Sequence, residues 1–262
     1  MKRSDIEIMA PVGSYEALSA AIQAGADSVY FGIGRLNMRS ASAANFTPDD
    51  LAKIVATAHA AGLRAYLTVN TIVYEEEIAA VHEVIDRARA EGIDAIIATD
   101  MAAILYARRV GVAVHISTQS NISNSEAVKF VAQWADTVVL ARELTLEQVA
   151  QIRREIVACD IRGPRGELVE IEMFAHGALC MSISGKCYLS LYETGCSANR
   201  GAPCRLTPKG ATRFLWGACG RISRWKADSI FGWSRTTSAR ALPQTPYKSR
   251  SFLFNFSIQI TV

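Results

Sequence analysis

The chain has 262 residues, 50% of them hydrophobic and 20% charged, with a formal net charge of +3. This composition is that of an ordinary globular protein and excludes a disordered, fibrous or membrane-embedded chain. The first residues lack the apolar core of a secretion signal, and no run of about 18 apolar residues could span a membrane. We therefore expect a cytoplasmic protein that does not bind a membrane.

Short apolar runs rich in β-formers alternate with longer segments of helical period from residue 6 to about residue 177, which is the pattern of parallel βα units. The segments predicted as strands are 6–11, 28–32, 64–70, 95–100, 113–118, 137–141 and 169–175. The segments predicted as helices are 15–24, 48–61, 75–91, 101–110, 125–135 and 146–159. Repeated units of this size occur in barrels and in doubly wound open sheets, and we favour an α/β fold of the TIM-type (β/α)8 barrel class.

A complete barrel of this type needs an eighth strand with its helix, and no such unit follows Cys204. Residues 252–262 do alternate between apolar and polar positions, as a strand does. The sequence therefore predicts an incomplete barrel of seven clear βα strands, with the eighth strand missing or replaced by the tail.

The charge and aromatic content change abruptly near residue 206. Residues 206–262 hold nine Lys or Arg, one acidic residue and three of the four tryptophans, so their net charge is +8, whereas residues 1–205 carry −5. This predicts a barrel domain over residues 5–205, with a cysteine-rich loop at 177–205, and an atypical basic tail at 206–262. The loss of acidic residues and of βα periodicity at one place is what a shifted reading frame, or a truncation joined to foreign sequence, would produce.

Polar side chains that could carry chemistry stand where the predicted strands end, which is where barrel enzymes place their reactive groups. Imidazole and carboxyl groups exchange protons near neutral pH, and guanidinium groups suit phosphate and carboxylate. The predicted catalytic residues are His115, His176, Glu172 and Asp100. The predicted substrate-binding residues are Arg39, Asn70, Gln119, Arg142 and Glu143.

Four of the six cysteines lie within 25 residues directly after the seventh predicted strand: Cys180, Cys187, Cys196 and Cys204. Four thiolates are the usual ligand shell of an iron–sulfur cluster, and zinc or another divalent metal is the alternative. The spacing differs from the paired C-x2-C of zinc ribbons. A nucleophilic cysteine or ordinary packed thiols also fit the spacing.

Several ordered segments resemble the collagenase-like peptidase family U32, above all the sequence EMFAHGALCMSISGKCYLS and the later SANRGAPCR. The resembling segments are 6–32, 66–70, 115–121, 139–144 and 172–205. The family name comes from reported collagen degradation. Other members share a four-cysteine iron–sulfur site and act in hydroxylation of tRNA uridine, ribosomal RNA cytidine or a quinone precursor, with prephenate as hydroxyl source for tRNA.

Carried onto this chain, the resemblance implies that Cys180, Cys187 and Cys204 are metal ligands. The motif at residues 199–205 is compressed relative to the family pattern, and the tail replaces the segment that holds a further ligand. Cys196 or Cys219 would have to supply the fourth thiolate, although neither matches a family position.

These observations favour a cysteine-ligated iron–sulfur enzyme that hydroxylates RNA, tRNA uridine in particular, with a small carboxylate such as prephenate as co-substrate. The alternative is a metal- or cysteine-dependent protease acting on collagen or other peptides, although the sequence has no H-E-x-x-H motif. A third hypothesis is a truncated, inactive product.

Overall fold

Strands and helices alternate along the barrel region. The computed structural model describes residues 6–34, 36–37, 46–176 and 258–261. Its strands are β1 Glu7–Pro11, β2 Ser28–Gly32, β3 Arg64–Val69, β4 Ala95–Ala98, β5 Ala113–Ile116, β6 Thr137–Val139, β7 Glu170–His176 and β8 Ile258–Thr261. Its helices are α1 Tyr15–Gln23, α2 Leu51–Ala60, α3 Ile78–Ala90, α4 Met101–Val110, α5 Ser125–Val131 and α6 Leu146–Ala158. The seven predicted strands and six predicted helices are confirmed.

The eight strands form a closed ring in chain order. Each neighbouring pair from β1 to β7 is parallel, as βα units require. Strand β8 is antiparallel both to β7 and to β1, and residue Thr261 lies opposite Glu172 on one side and Glu7 on the other. The tail therefore takes the eighth position without a βα unit of its own, which is the second of the two predicted alternatives.

The chain divides into two compact units. The barrel unit comprises Ser4–Arg205 with Phe256–Val262, and it contains every described residue. The other unit comprises Met1–Arg3 with Leu206–Asn255 and lies outside the described residues, so the predicted origin of the tail from a shifted reading frame stays a prediction.

Four strands, β3 to β6, end earlier than the hydropathy pattern predicts, and for β4 and β5 the reason is that the following residues begin the next element. Asp100 has extended backbone and caps α4, so β4 stops at Ala98. Thr118 begins a short 3-10 turn, so β5 stops at Ile116. The turn ends at Asn121, whose φ of 53° is left-handed, a conformation that asparagine tolerates better than most residues.

Two apolar regions pack against the sheet. A large core lies between the sheet and the helices and takes the outward-facing residues of each strand, such as Leu67, Ile96 and Val114. A small second cluster holds Met9, Tyr66, Ala95 and Ile97. Within the described residues, no helix combines the length and the apolar character that crossing a membrane requires.

Candidate active site inside the barrel

Alternate strands of the barrel deliver four buried side chains to its interior: Met9 from β1, Tyr66 from β3, His115 from β5 and Glu172 from β7. Neighbours of these residues along each strand join the outer core, and successive side chains of a strand point to opposite faces. Four side chains from alternate strands are the composition of one layer inside a TIM-type barrel. Two of the four, His115 and Glu172, are predicted catalytic residues.

The structure brings His115 and Glu172 together although 57 residues separate them in the chain. The Nδ1 atom of His115 lies 3.3 Å from Oε2 of Glu172. The Glu172 side chain is completely buried, and the His115 side chain is 10% exposed. Burial raises the pKa of the Glu172 carboxyl above its ordinary value, and the neighbouring His115 opposes that rise in part.

A second pair of groups, which the sequence analysis did not single out, lies in the same interior. The Tyr66 hydroxyl donates to Oε1 of Glu7 at 2.8 Å, and the Arg64 guanidinium contacts the other carboxylate oxygen. Burial, together with the negative charge of Glu7, raises the pKa of the Tyr66 hydroxyl above its ordinary value, so this group stays a donor. Glu7 thus has one partner on each oxygen.

The two pairs are joined through the Tyr66 ring. Its centroid lies 4.7 Å from that of the His115 imidazole, with the planes inclined by 50°. The charge of Glu7 also contributes to the raised pKa of Glu172. The side chains of Glu7, Tyr66, His115 and Glu172 therefore form one connected set inside the barrel, and the half-exposed Arg64 guanidinium contacts this set at Glu7.

At the carboxyl ends of β3 and β5, two predicted substrate-binding residues meet. The Asn70 amide nitrogen donates to Oε1 of Gln119 at 3.3 Å and reaches Oγ of Ser117 at 3.5 Å. The Ser117 hydroxyl in turn donates to Oε1 of Gln119. Because Ser117 lies two residues after His115 on the same inward-facing side, this amide cluster lies toward the barrel mouth from the imidazole.

Arg142 and Glu143 follow β6 and are both exposed. The Arg142 guanidinium carbon lies 5.6 Å from the centroid of the Phe174 ring, a cation–π contact. Phe174 is two residues after Glu172 on β7, so Arg142 also stands on the mouth side of the buried pair. A guanidinium in this place can bind an anionic group of a substrate.

Asp100 lies at the start of α4, where its two carboxylate oxygens have backbone partners. Oδ1 accepts from the Ala102 amide at 2.9 Å, and Oδ2 accepts from the Val73 amide at 3.0 Å. The side chain therefore caps the helix and ties down the loop that follows β3. Neither of these two contacts is with His115 or Glu172, and the catalytic role of Asp100 stays a prediction.

Other predicted residues lie outside the described part of the chain. They are Arg39 and the four predicted metal ligands Cys180, Cys187, Cys196 and Cys204. His176 is described as the last residue of β7 by its backbone alone. Among the described residues, no three His, Cys, Asp or Glu side chains are grouped so that they could hold a metal ion.

Glu7, Arg64 and Tyr66 gave a weak signal in the sequence. Glu7 interrupts an otherwise apolar strand and lies two residues before the buried Met9, so both side chains point to the same face. On β3, Tyr66 lies two and four residues before Thr68 and Asn70, so it points to the same face as they do. A charged residue at an inward position of a barrel strand needs a partner. Listing the inward positions of all strands would have found these three residues.

A closed barrel with parallel β1–β7, a buried imidazole–carboxyl pair and polar side chains at its mouth has the architecture of an α/β-barrel enzyme. A family model described as Peptidase family U32 matches residues 13–211, and the chain belongs to this family. The resemblance found in the sequence is thereby confirmed.

Three relatives show how the family is named. A protein from Porphyromonas gingivalis named "Collagenase" is 59% identical over 212 residues, which are 81% of this chain and 51% of the relative. A tRNA hydroxylation protein from Bacillus subtilis is 34% identical, with coverage of 76% and 45%. A 23S rRNA 5-hydroxycytidine synthase from Escherichia coli is 37% identical, with coverage of 77% and 29%. The chain thus spans about half the length of the first of these relatives, and less of the other two.

Proposed function

We propose that the chain is a cysteine-ligated iron–sulfur enzyme that hydroxylates a pyrimidine base in RNA, with tRNA uridine as the first substrate to test. The observation that carries this proposal is the position of the cysteines: Cys180 comes four residues after the end of β7, the strand that holds the buried Glu172. Four thiolates within 25 residues supply a complete cluster shell, with Cys180, Cys187, Cys204 and Cys196 as the ligands.

A bound iron–sulfur cluster would supply electron transfer or Lewis acidity, and the remaining tasks fall to the side chains of the barrel. The His115–Glu172 pair, almost completely buried, offers the His115 imidazole as a hydrogen-bonding group to the substrate. The amides of Asn70 and Gln119 suit the edge of a nucleobase, which carries both donors and acceptors. Arg142, and Arg39 in the second loop, suit a phosphate or a small carboxylate co-substrate such as prephenate.

Peptide hydrolysis is the second candidate, because the 59% identical relative is named a collagenase. In that case one of the clustered cysteines acts as nucleophile with His115 or His176 as its base, or a zinc ion held by the cysteines activates water. The two candidates therefore differ in whether the cysteines bind an iron–sulfur cluster, or instead bind zinc or act as a nucleophile.

Metal analysis separates the candidates. We expect the full chain, purified without oxygen and reconstituted with iron and sulfide, to bind both elements and to show visible cluster absorbance. Cys180→Ala should lose that absorbance, whereas Cys159→Ala should keep it, because Cys159 is an exposed residue that ends α6. Full absorbance in Cys180→Ala would remove Cys180 from the ligands, and zinc without sulfide would favour the peptidase.

The substrate is tested by activity. We expect tRNA from a host that lacks its own tRNA hydroxylation to gain hydroxylated uridine when it expresses this chain, as measured by mass spectrometry of nucleosides. Cleavage of a collagen peptide without any RNA product would contradict the proposal. A chain with neither activity and without a cooperative thermal transition would match the third hypothesis, an inactive truncated product.

A further inference from the structure

The two buried carboxyl groups inside the barrel have different partners. Glu7 has a hydroxyl donor on one oxygen and a guanidinium on the other. Glu172 has the imidazole on Oε2, and its Oε1 has no hydrogen-bond partner among the described residues. A buried carboxylate with an unsatisfied oxygen is far more costly than a buried neutral carboxyl.

Apart from His115, which opposes the rise of the Glu172 pKa in part, the described charges around Glu172 do not compensate an anion there. On β5 it meets His115, and on β1 it is close enough to Glu7 to sense its negative charge. The Arg64 guanidinium of β3 contacts Glu7, and beside it Tyr66 is a neutral hydroxyl donating to the same carboxylate. Glu170, on the same strand, is a further acid and so adds no positive charge. Thr137 of β6 is uncharged, and its hydroxyl donates to Glu170. Burial accordingly raises the pKa of Glu172.

We propose that Glu172 is a neutral carboxylic acid at pH 7 that donates its proton to Nδ1 of His115. Nitrogen Nε2 then carries the imidazole hydrogen, and His115 meets the substrate as a hydrogen-bond donor and not as a base. The substrate group that fits such a donor is an oxygen acceptor. The identity of this oxygen rests on the proposed function: it belongs to a pyrimidine carbonyl or to a carboxylate of the co-substrate.

This proposal assigns distinct roles inside the pair. Glu172 is a positioning residue, because it acts through the imidazole and is completely buried. Tyr66 is a second positioning residue, since its ring packs against the imidazole at 4.7 Å while its hydroxyl is anchored on Glu7. His115 is the member of the pair with some exposure, so it is the one that can contact substrate.

The protonation states can be observed directly in the full chain. We expect nitrogen NMR of histidine-labelled protein at pH 7 to contain an Nε2–H tautomer signal that His115→Gln removes and His59→Gln, a change at the histidine whose Nε2 lies 2.9 Å from Asp94, leaves in place. We also expect the infrared spectrum to contain the carbonyl band of a protonated buried carboxyl. Glu172→Gln should remove this band, whereas Glu170→Gln, the same change at an exposed position of β7, should keep it.

An Nδ1–H tautomer or a doubly protonated imidazole at His115 would overturn the proposal, and so would an infrared band that Glu172→Gln leaves in place. The NMR measurement on the unmodified chain decides the tautomer even if Glu172→Gln does not fold. Both measurements are independent of iron content and of RNA modification, so failure of the proposed function and failure of this inference are distinguishable.

Discussion

Replacing Tyr66 by Phe tests whether the interior of the barrel is held together as described. The change removes one oxygen atom and keeps the ring that packs against His115. It leaves Oε1 of the buried Glu7 without the 2.8 Å hydrogen bond from the Tyr66 hydroxyl, while Arg64 still contacts the other oxygen. A buried hydrogen bond to a charged group is worth about 1.5–3 kcal/mol, so we expect the free energy of unfolding to fall by about that amount.

The chain offers a matched control, because Tyr106 makes the same kind of bond at the surface. Its hydroxyl donates to Oδ2 of Asp86 at 2.7 Å, and the pair is exposed. Exposed polar pairs contribute little to stability, so Tyr106→Phe should cost clearly less than Tyr66→Phe. Urea unfolding with equal m-values provides the comparison. Equal losses in the two variants would refute the description of Glu7 as a buried group that depends on Tyr66.

Two further predictions concern the other carboxyl groups. Asp100→Ala removes both the cap of α4 and the bond to the Val73 amide, so it should lower the free energy of unfolding in urea by about 1–2 kcal/mol. The loss should exceed that of Asn124→Ala, which removes an exposed cap with one such bond. A smaller loss than in Asn124→Ala would contradict the double role of Asp100. Because the folded-state pKa of Glu172 is raised, its contribution to stability is present below the ordinary value of 4.5 and is lost as the pH rises toward the folded value. In the unmodified chain the free energy of unfolding should therefore decline by up to about 1.4 kcal/mol per pH unit above pH 4.5, and Glu172→Gln should remove this decline whereas Glu170→Gln should not. The same pH slope in the unmodified chain and in both variants would show that Glu172 ionises normally.

The architecture was predictable because hydrophobic period is a local property. Each of β1 to β7 is a short apolar run, and each of the six helices carries its own apolar stripe, so the count and order follow from the sequence without knowledge of contacts. The strand ends were less predictable. Asp100 and Thr118 extend a polar–apolar pattern that a strand also shows, and their role in a cap or turn depends on hydrogen bonds to the backbone.

Strand β8 shows a second limit of local patterns. The alternation over residues 252–262 predicts a strand, and four of these residues form one. The pattern does not give the direction of β8, which pairs with β1 Glu7–Pro11 and β7 Glu170–His176, two strands far apart in the chain. Backbone groups at both open edges gain hydrogen-bond partners when β8 inserts between them, and an antiparallel strand satisfies these groups as well as a parallel one.

The candidate site was half predictable for a related reason. His115 stood out as a titratable residue near the end of β5, and Glu172 as one on the strand that also carries His176, whereas Glu7 stands at the start of β1 and has partners 57 and 59 residues away. The residue type is the same at positions 7 and 172, but their chemistry differs. Glu7 has a guanidinium and a hydroxyl, which suit a carboxylate, and Glu172 has one imidazole nitrogen, which suits a carboxylic acid. Which glutamate keeps its proton therefore depends on what the other strands bring to it, and the folded barrel is needed to tell them apart.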